Sequence, residues 1–114
     1  SETGIKGEQI AENFLLKKGY IILHRNWRFE KKEIDIIAET AGLLVFIEVK
    51  TRNRLDFGFP EEAVDYRKEE HMKIAAEAFM DANDNYKQVR FDVISILKQG
   101  DVVKEILHIP DAFY

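Results

Sequence analysis

The chain has no cysteine. Disulfides and thiolate metal sites are thereby excluded, and the composition suits a reducing cytoplasm, the expected location. Apolar runs are short. None approaches the roughly 20 residues that a helix needs to cross a bilayer, so no membrane partner is expected, and no charged-then-apolar secretion signal opens the chain. Prolines number two and glycines six among 114 residues, and there is no internal repeat, low-complexity tract or linker. That pattern predicts one domain over residues 1–114, long enough for a single core. Net positive charge is lacking too. A formal charge of −4 and a pI near 5.4 argue against a general nucleic-acid coat protein.

The charge that is present is unevenly spread. Residues 14–54 hold nine Lys/Arg against five acids, whereas residues 55–86 hold three against nine. A basic half fits a phosphate-bearing substrate, and a charge-mixed solvated surface accounts for the same numbers.

Within the basic half, Glu33-Ile34-Asp35-Ile36-Ile37 and Leu43-Leu44-Val45-Phe46-Ile47-Glu48-Val49-Lys50 read as strands, being rich in residues that fit a pleated, packed surface. Thr40-Ala41-Gly42 supplies the reversal between them. Alternation puts Glu33 and Asp35 on one face of the first strand, and Glu48 and Lys50 on one face of the second. With Ala41-Gly42 as a two-residue turn, Asp35 falls opposite Glu48 and Glu33 opposite Lys50. Cross-strand partners of that kind have Cβ atoms about 5 Å apart. Leu43 to Ile47 is apolar throughout, which predicts a central strand covered on both faces. Carboxylates at its end repel one another unless a cation joins them, and their hard oxygens select Mg²⁺ or Mn²⁺. A solvated surface pair is the other reading of the same spacing.

Asp35, followed after a hairpin by Glu48-Val49-Lys50, resembles the catalytic motif of the PD-(D/E)xK nuclease superfamily. The wider chain resembles the YraN-like uncharacterised family (uncharacterised protein family 0102) of predicted endonucleases. The matching pieces run in order: Gly7-Glu8, Lys18-Gly19-Tyr20, Asn26-Trp27-Arg28, Glu33-Ile34-Asp35, Val45 to Arg52, Phe57-Gly58 and Arg90-Phe91-Asp92. One departure is Lys32, where the family pattern has Gly before Glu-Ile-Asp. The resemblance implies a restriction-endonuclease-like α/β core. It also implies hydrolysis of DNA phosphodiester bonds, branched DNA included, because archaeal Holliday-junction resolvases are similar. Their paired sites make a homodimer the expected assembly, through the last strand and first helix. Glu8 matches the helix-one glutamate that those resolvases bring to the metal.

The expected division of labour follows. Asp35 and Glu48 ligate one Mg²⁺ or Mn²⁺ with the Val49 carbonyl, and Glu8 completes the shell. Lys50 has no lone pair to offer when protonated, so it orients water and offsets charge in the transition state. Glu33 holds Lys50 or reaches the metal through water. Arg25, Arg28, Arg52, Arg54 and Lys68 are the candidate phosphate contacts. The alternative is a non-catalytic nucleic-acid or protein-binding module that keeps the nuclease fold, and RNA cleavage would use the same site.

The remaining elements bracket these strands. Gly7 to Lys18 reads as an amphipathic helix with Ile10, Ala11, Phe14 and Leu15 inward, and Tyr20 to Phe29 as the first strand. Trp27 is expected in the core. Thr51 to Pro60 reads as a polar loop, and Glu61 to Asn83 as a long helix, broken near Asp65-Tyr66, burying Met72, Ala75, Ala76 and Phe79. Val89 to Leu97 predicts a buried strand in which Asp92 partners Arg90, and Val102 to Ile109 an edge strand. His71 reads as solvated. His24 and His108 lack a second ligand at zinc spacing. The order helix, three strands, helix, two strands predicts a mixed sheet, its middle hairpin antiparallel and the strand after the long helix parallel to its neighbour.

Overall fold

The described residues form α1 (Glu2–Lys17), β1 (Ile21–Phe29), β2 (Lys32–Thr40), β3 (Leu43–Asn53), α2 (Tyr66–Ala82), β4 (Val89–Gln99) and β5 (Val102–Ile109). This computed structural model describes residues 2–53 and 66–114, with side chains from residue 7 onward. Arg54, Gly58, Pro60 and the expected helix start at Glu61 and Glu62 lie outside the described residues. The element order is the expected one, an α/β fold compatible with a restriction-endonuclease-like core. Most boundaries agree to within one or two residues, and two near the candidate site differ by more. α1 begins five residues before Gly7, and β3 continues through Thr51, Arg52 and Asn53, read above as loop. The strand extends because β4 runs alongside it to the pair Asn53↔Lys98, giving those polar residues a ladder to join.

Strand order in the sheet is β1-β2-β3-β4-β5, antiparallel everywhere except between β3 and β4. On one face Met72, Ala75, Ala76 and Phe79 of α2 pack on Ile34, Ile37, Leu44, Phe46 and Phe91. Phe79 is the centre of that layer, meeting Trp27 edge-on at 5.3 Å and Phe46 at 6.0 Å between ring centroids. Truncating a Phe so placed typically costs about 3–5 kcal/mol. On the other face Ala11 and Leu15 of α1 cover Ile36, Ala38, Val45, Ile47, Ile94 and Ile96. β3 is therefore sandwiched, as its unbroken apolar run predicts.

The β2–β3 hairpin turns on Ala41 and Gly42, both at positive φ (49° and 80°). That is the primed turn whose twist suits a two-residue hairpin, and Gly42 adopts it without a Cβ penalty. The register is the expected one from Thr40↔Leu43 down to Ile36↔Ile47. There the ladder ends, before the expected pairs Asp35–Glu48 and Glu33–Lys50. β2 continues only along β1, to Phe29↔Lys32, and β3 only along β4. A fork opens in the middle of the sheet.

The fork has a local cause. Asn26, beside Asp35 on β1, has φ 53°, a conformation that Asn tolerates better than most residues. Alternation breaks there on both strands. Ile34 packs under α2 but Ile36 under α1; likewise Trp27 packs under α2 while Arg25 reaches α1. Asp35 sits at this reversal, where its side chain turns toward β3 in place of the backbone.

Candidate active site

Asp35 Oδ2 accepts the main-chain N–H of Val49 at 2.8 Å. Had the ladder continued, the backbone of Ile34 would have taken that donor, so the carboxylate substitutes for a rung. Burial is the largest influence on Asp35 and pushes its pKa up, with Glu8 and Glu48 adding to the rise; the Val49 hydrogen bond and the Lys68 charge oppose it, and the outcome is about 6. Among the described residues Lys68 is the positive charge that acts on it, and burial outweighs that charge.

Glu48 lies on the α2 face of β3, in alternation with Phe46 and Lys50, and is 6 % exposed. Its Oε2 meets Lys68 Nζ of α2 at 3.1 Å, and its Oε1 meets Lys50 Nζ at 3.8 Å. Lys68 therefore sits inside the candidate site, a place that spacing alone did not reveal. The signal that could have found it is the stripe of Met72, Ala75 and Phe79, which docks α2 on the face that Glu48 occupies.

Glu8 comes from α1, on the other side of the sheet. Gly7 lets that helix approach β3 closely, since a Cβ there would overlap Thr51 Oγ1 and stand 3.3 Å from Thr51 Cβ. Arg25 holds this stretch of α1: its guanidinium lies 3.9 Å from Glu8 and 3.2 Å from Glu12, and donates to Gln9 Oε1 at 3.1 Å. The expected phosphate contact Arg25 is thus committed to acids of its own chain. Glu33, expected beside Lys50, instead takes the Nε–H of Arg28 across β1–β2 at 3.1 Å, because the ladder that would bring it to Lys50 has already opened. Arg28 remains a mostly exposed side chain, and Arg52 lies two residues past Lys50 on β3.

The donor chemistry fits a hard divalent cation. Asp35 and Glu48 supply carboxylate oxygens, and an extended residue turns its N–H and C=O to the same side, so the Val49 carbonyl also faces the gap. Among the described residues no three His, Cys, Asp or Glu come close enough to hold a metal by themselves. Two carboxylates are what Mg²⁺ usually takes from a protein, with water and phosphate filling the rest of its shell.

A second charged cluster lies on the α1 face, one strand away. Asp92 is fully buried, with two hydrogen bonds from Arg90 (2.8 and 2.7 Å), one with His108 Nε2 (2.7 Å) and one from the N–H of Asp111 (3.0 Å). Arg90 also donates to Tyr20 Oη at 2.8 Å. The Lys18 ammonium, 2.7 Å from His108 Nδ1, has only hydrogens to offer, so Nδ1 accepts and Nε2–H donates to Asp92. Burial works to raise the Asp92 pKa, but these hydrogen bonds outweigh it and hold the carboxylate below its ordinary range. This is the expected Arg90 partnership, enlarged by His108.

Comparison with known sequences gives the chain its family relations. The profile of the Uncharacterised protein family UPF0102 matches residues 7–96. A UPF0102 protein of Flavobacterium psychrophilum is 43% identical over 114 residues, covering 100% of this chain and 95% of its own. One from Dictyoglomus thermophilum is 46% identical over 105 residues, covering 90% and 89%, and one from Natranaerobius thermophilus 45% over 113, covering 96% and 95%.

Proposed function

The chain belongs to the Uncharacterised protein family UPF0102, and from the forked sheet we propose that it is a divalent-metal-dependent endonuclease hydrolysing DNA phosphodiester bonds, branched DNA included. The observation that carries this reading is the fork itself: where β2 and β3 part, the Asp35 carboxylate takes the Val49 N–H beside Glu48, whose own neighbour is Lys50, and burial pushes the Asp35 pKa up to about 6. Asp35, Glu48 and the Val49 carbonyl are the residues that would hold Mg²⁺ or Mn²⁺, with Glu8 behind them. Such an ion, when bound, polarises a phosphoryl oxygen and acidifies water. Lys50 presents its ammonium beside Glu48, placed to orient water and to offset charge that builds on the phosphate. Exposed Arg28, and Arg52 further along β3, are the phosphate contacts of this reading. A cytoplasmic location accords with the absence of cysteine; among the described residues no helix is long and apolar enough to cross a membrane.

A binding module that keeps the fold is the second reading, and Glu48 favours it, because both its oxygens already face ammonium groups. Duplex, single-stranded, flapped and four-way-branched DNAs, with Mg²⁺ or Mn²⁺, separate the two. Cutting by wild type that is lost in Glu48→Gln and Lys50→Met supports the enzyme; equal background from all three proteins on every substrate sinks it. A homodimer goes with a domain this small. The edge strand β5 exposes Val103, Leu107 and Ile109, and light scattering that gives one chain per particle at tens of micromolar, with and without DNA, counts against it.

A further inference from the structure

We propose that the Lys68 ammonium is the resident counter-ion of the candidate site, seated on Glu48 in the metal-free protein and displaced by the divalent cation. This deepens the reading above and rests on it, since it takes Asp35 and Glu48 as the metal ligands. A carboxylate as buried as Glu48 is costly to ionise without a cation beside it. Among the described residues Lys50 and Lys68 are in reach, and they are not equivalent. Lys50 stays at 3.8 Å on the same strand, whereas Lys68 comes across from α2 to 3.1 Å, within hydrogen-bonding distance.

An Mg²⁺ ion bonds a carboxylate oxygen at about 2.1 Å, so ion and ammonium cannot share Glu48 Oε2 without strong repulsion. One must leave. The Lys68 side chain is half exposed (49 %), and its long stem can swing to water while Met72, Ala75, Ala76 and Phe79 keep α2 docked. No backbone motion is required. Metal and Lys68 therefore compete for one carboxylate, and by linkage removal of the lysine charge must tighten the metal.

The test is calorimetric titration of Mn²⁺ alone into wild type, Lys68→Met, Lys68→Arg and Glu48→Gln, each checked for cooperative urea unfolding. Lys68→Met should bind Mn²⁺ at least about 5-fold tighter, the lower end of ordinary coupling between two sites. Lys68→Arg, which keeps the charge, should stay near wild type, and Glu48→Gln should not bind. Binding that emerges only in Lys68→Met also supports the proposal. If wild type and Lys68→Met bind equally, or Lys68→Met binds more weakly, the proposal is overturned while the metal site stands. If no protein of the set takes up Mn²⁺, the proposal and the metal reading fall together. Should Lys68→Met not fold, Lys68→Gln serves in its place with the same outcomes.

Discussion

Two carboxylates of the same sheet, Asp35 on β2 and Asp92 on β4, are treated differently by their surroundings. Asp92, level with Ile47 of the neighbouring strand, receives four hydrogen bonds from Arg90, His108 and the Asp111 backbone and is held ionised. Asp35, at the fork, has one backbone hydrogen bond among the described residues and a burial that outweighs it. A protein that could satisfy Asp92 so completely did not lack the means to satisfy Asp35. The difference teaches that the Asp92 cluster is finished as architecture, tying the α1–β1 connection, β4 and β5 together, whereas the fork holds a carboxylate whose burial is not offset, the feature on which the proposed metal site rests. Four substitutions probe that contrast.

The largest effect should come from the finished cluster. Asp92→Ala leaves the Arg90 guanidinium and the His108 N–H facing a buried gap, and should lower unfolding stability by about 3–5 kcal/mol in urea titrations. A loss below about 1 kcal/mol would erase the distinction drawn here. Next in size is Lys50→Met at the fork. It should leave Mn²⁺ affinity intact or raised and leave the fold alone, yet slow DNA cleavage by at least about 10²-fold, the scale of one lost electrostatic stabiliser. A matched loss of metal binding would make Lys50 part of the metal shell and not of the transition-state machinery.

Asp35→Asn should move stability in the opposite direction to Asp92→Ala. Burial raises the folded-state pKa from 3.8 to about 6, so the folded protein holds this proton more tightly than the unfolded chain. The resulting stabilisation is complete below pH 3.8 and is lost as pH rises through 6, which leaves ionised Asp35 costing up to about 3 kcal/mol at neutral pH. The amide keeps an oxygen for the Val49 N–H and never ionises. Urea unfolding with chelator present should show Asp35→Asn more stable than wild type by about 2 kcal/mol at pH 8, and unchanged near pH 3.5. A variant that is less stable at both pH values would mean that Asp35 is structural, like Asp92.

Gly7→Ala is the smallest change expected. Overlap with Thr51 Oγ1 costs about 1–3 kcal/mol, and the better helix propensity of Ala returns about 1, for a net loss of roughly 1 kcal/mol. Because Thr51 follows Lys50, the variant should also weaken Mn²⁺ binding slightly if Glu8 belongs to the metal shell, and not otherwise.

Much of the fold was legible beforehand because it rests on local signals. The stripe Met72, Ala75, Ala76 and Phe79 has the spacing of one helix face, and those four residues are the buried ones. The run Leu44 to Ile47, apolar at every position, could only be covered on both sides, and it is. The positive-φ turn at Ala41-Gly42 set the hairpin register through Ile36↔Ile47. Glu33 and Arg25 were harder. Arg25, expected to contact phosphate, is taken by Glu8, Glu12 and Gln9 of α1. Extending a regular ladder puts Glu33 beside Lys50, and the ladder stops. The signal for that was Asn26, a residue at ease in the left-handed region in the middle of a β-like stretch.

By itself, then, the sequence determined the elements, their order, the hairpin and the identity of a carboxylate–lysine motif, because periodicity, turn chemistry and composition act within a few residues of one another. Only the tertiary structure decided that β2 and β3 part at Asp35, that Arg25 belongs to Glu12 and Glu8, and that Lys68 reaches Glu48 from a helix twenty residues away. Those outcomes depend on which groups compete for the same donor once the chain is packed. A buried carboxylate can take an N–H from a backbone rung, and a docked helix can deliver a cation, but neither contest exists until the sheet has two faces.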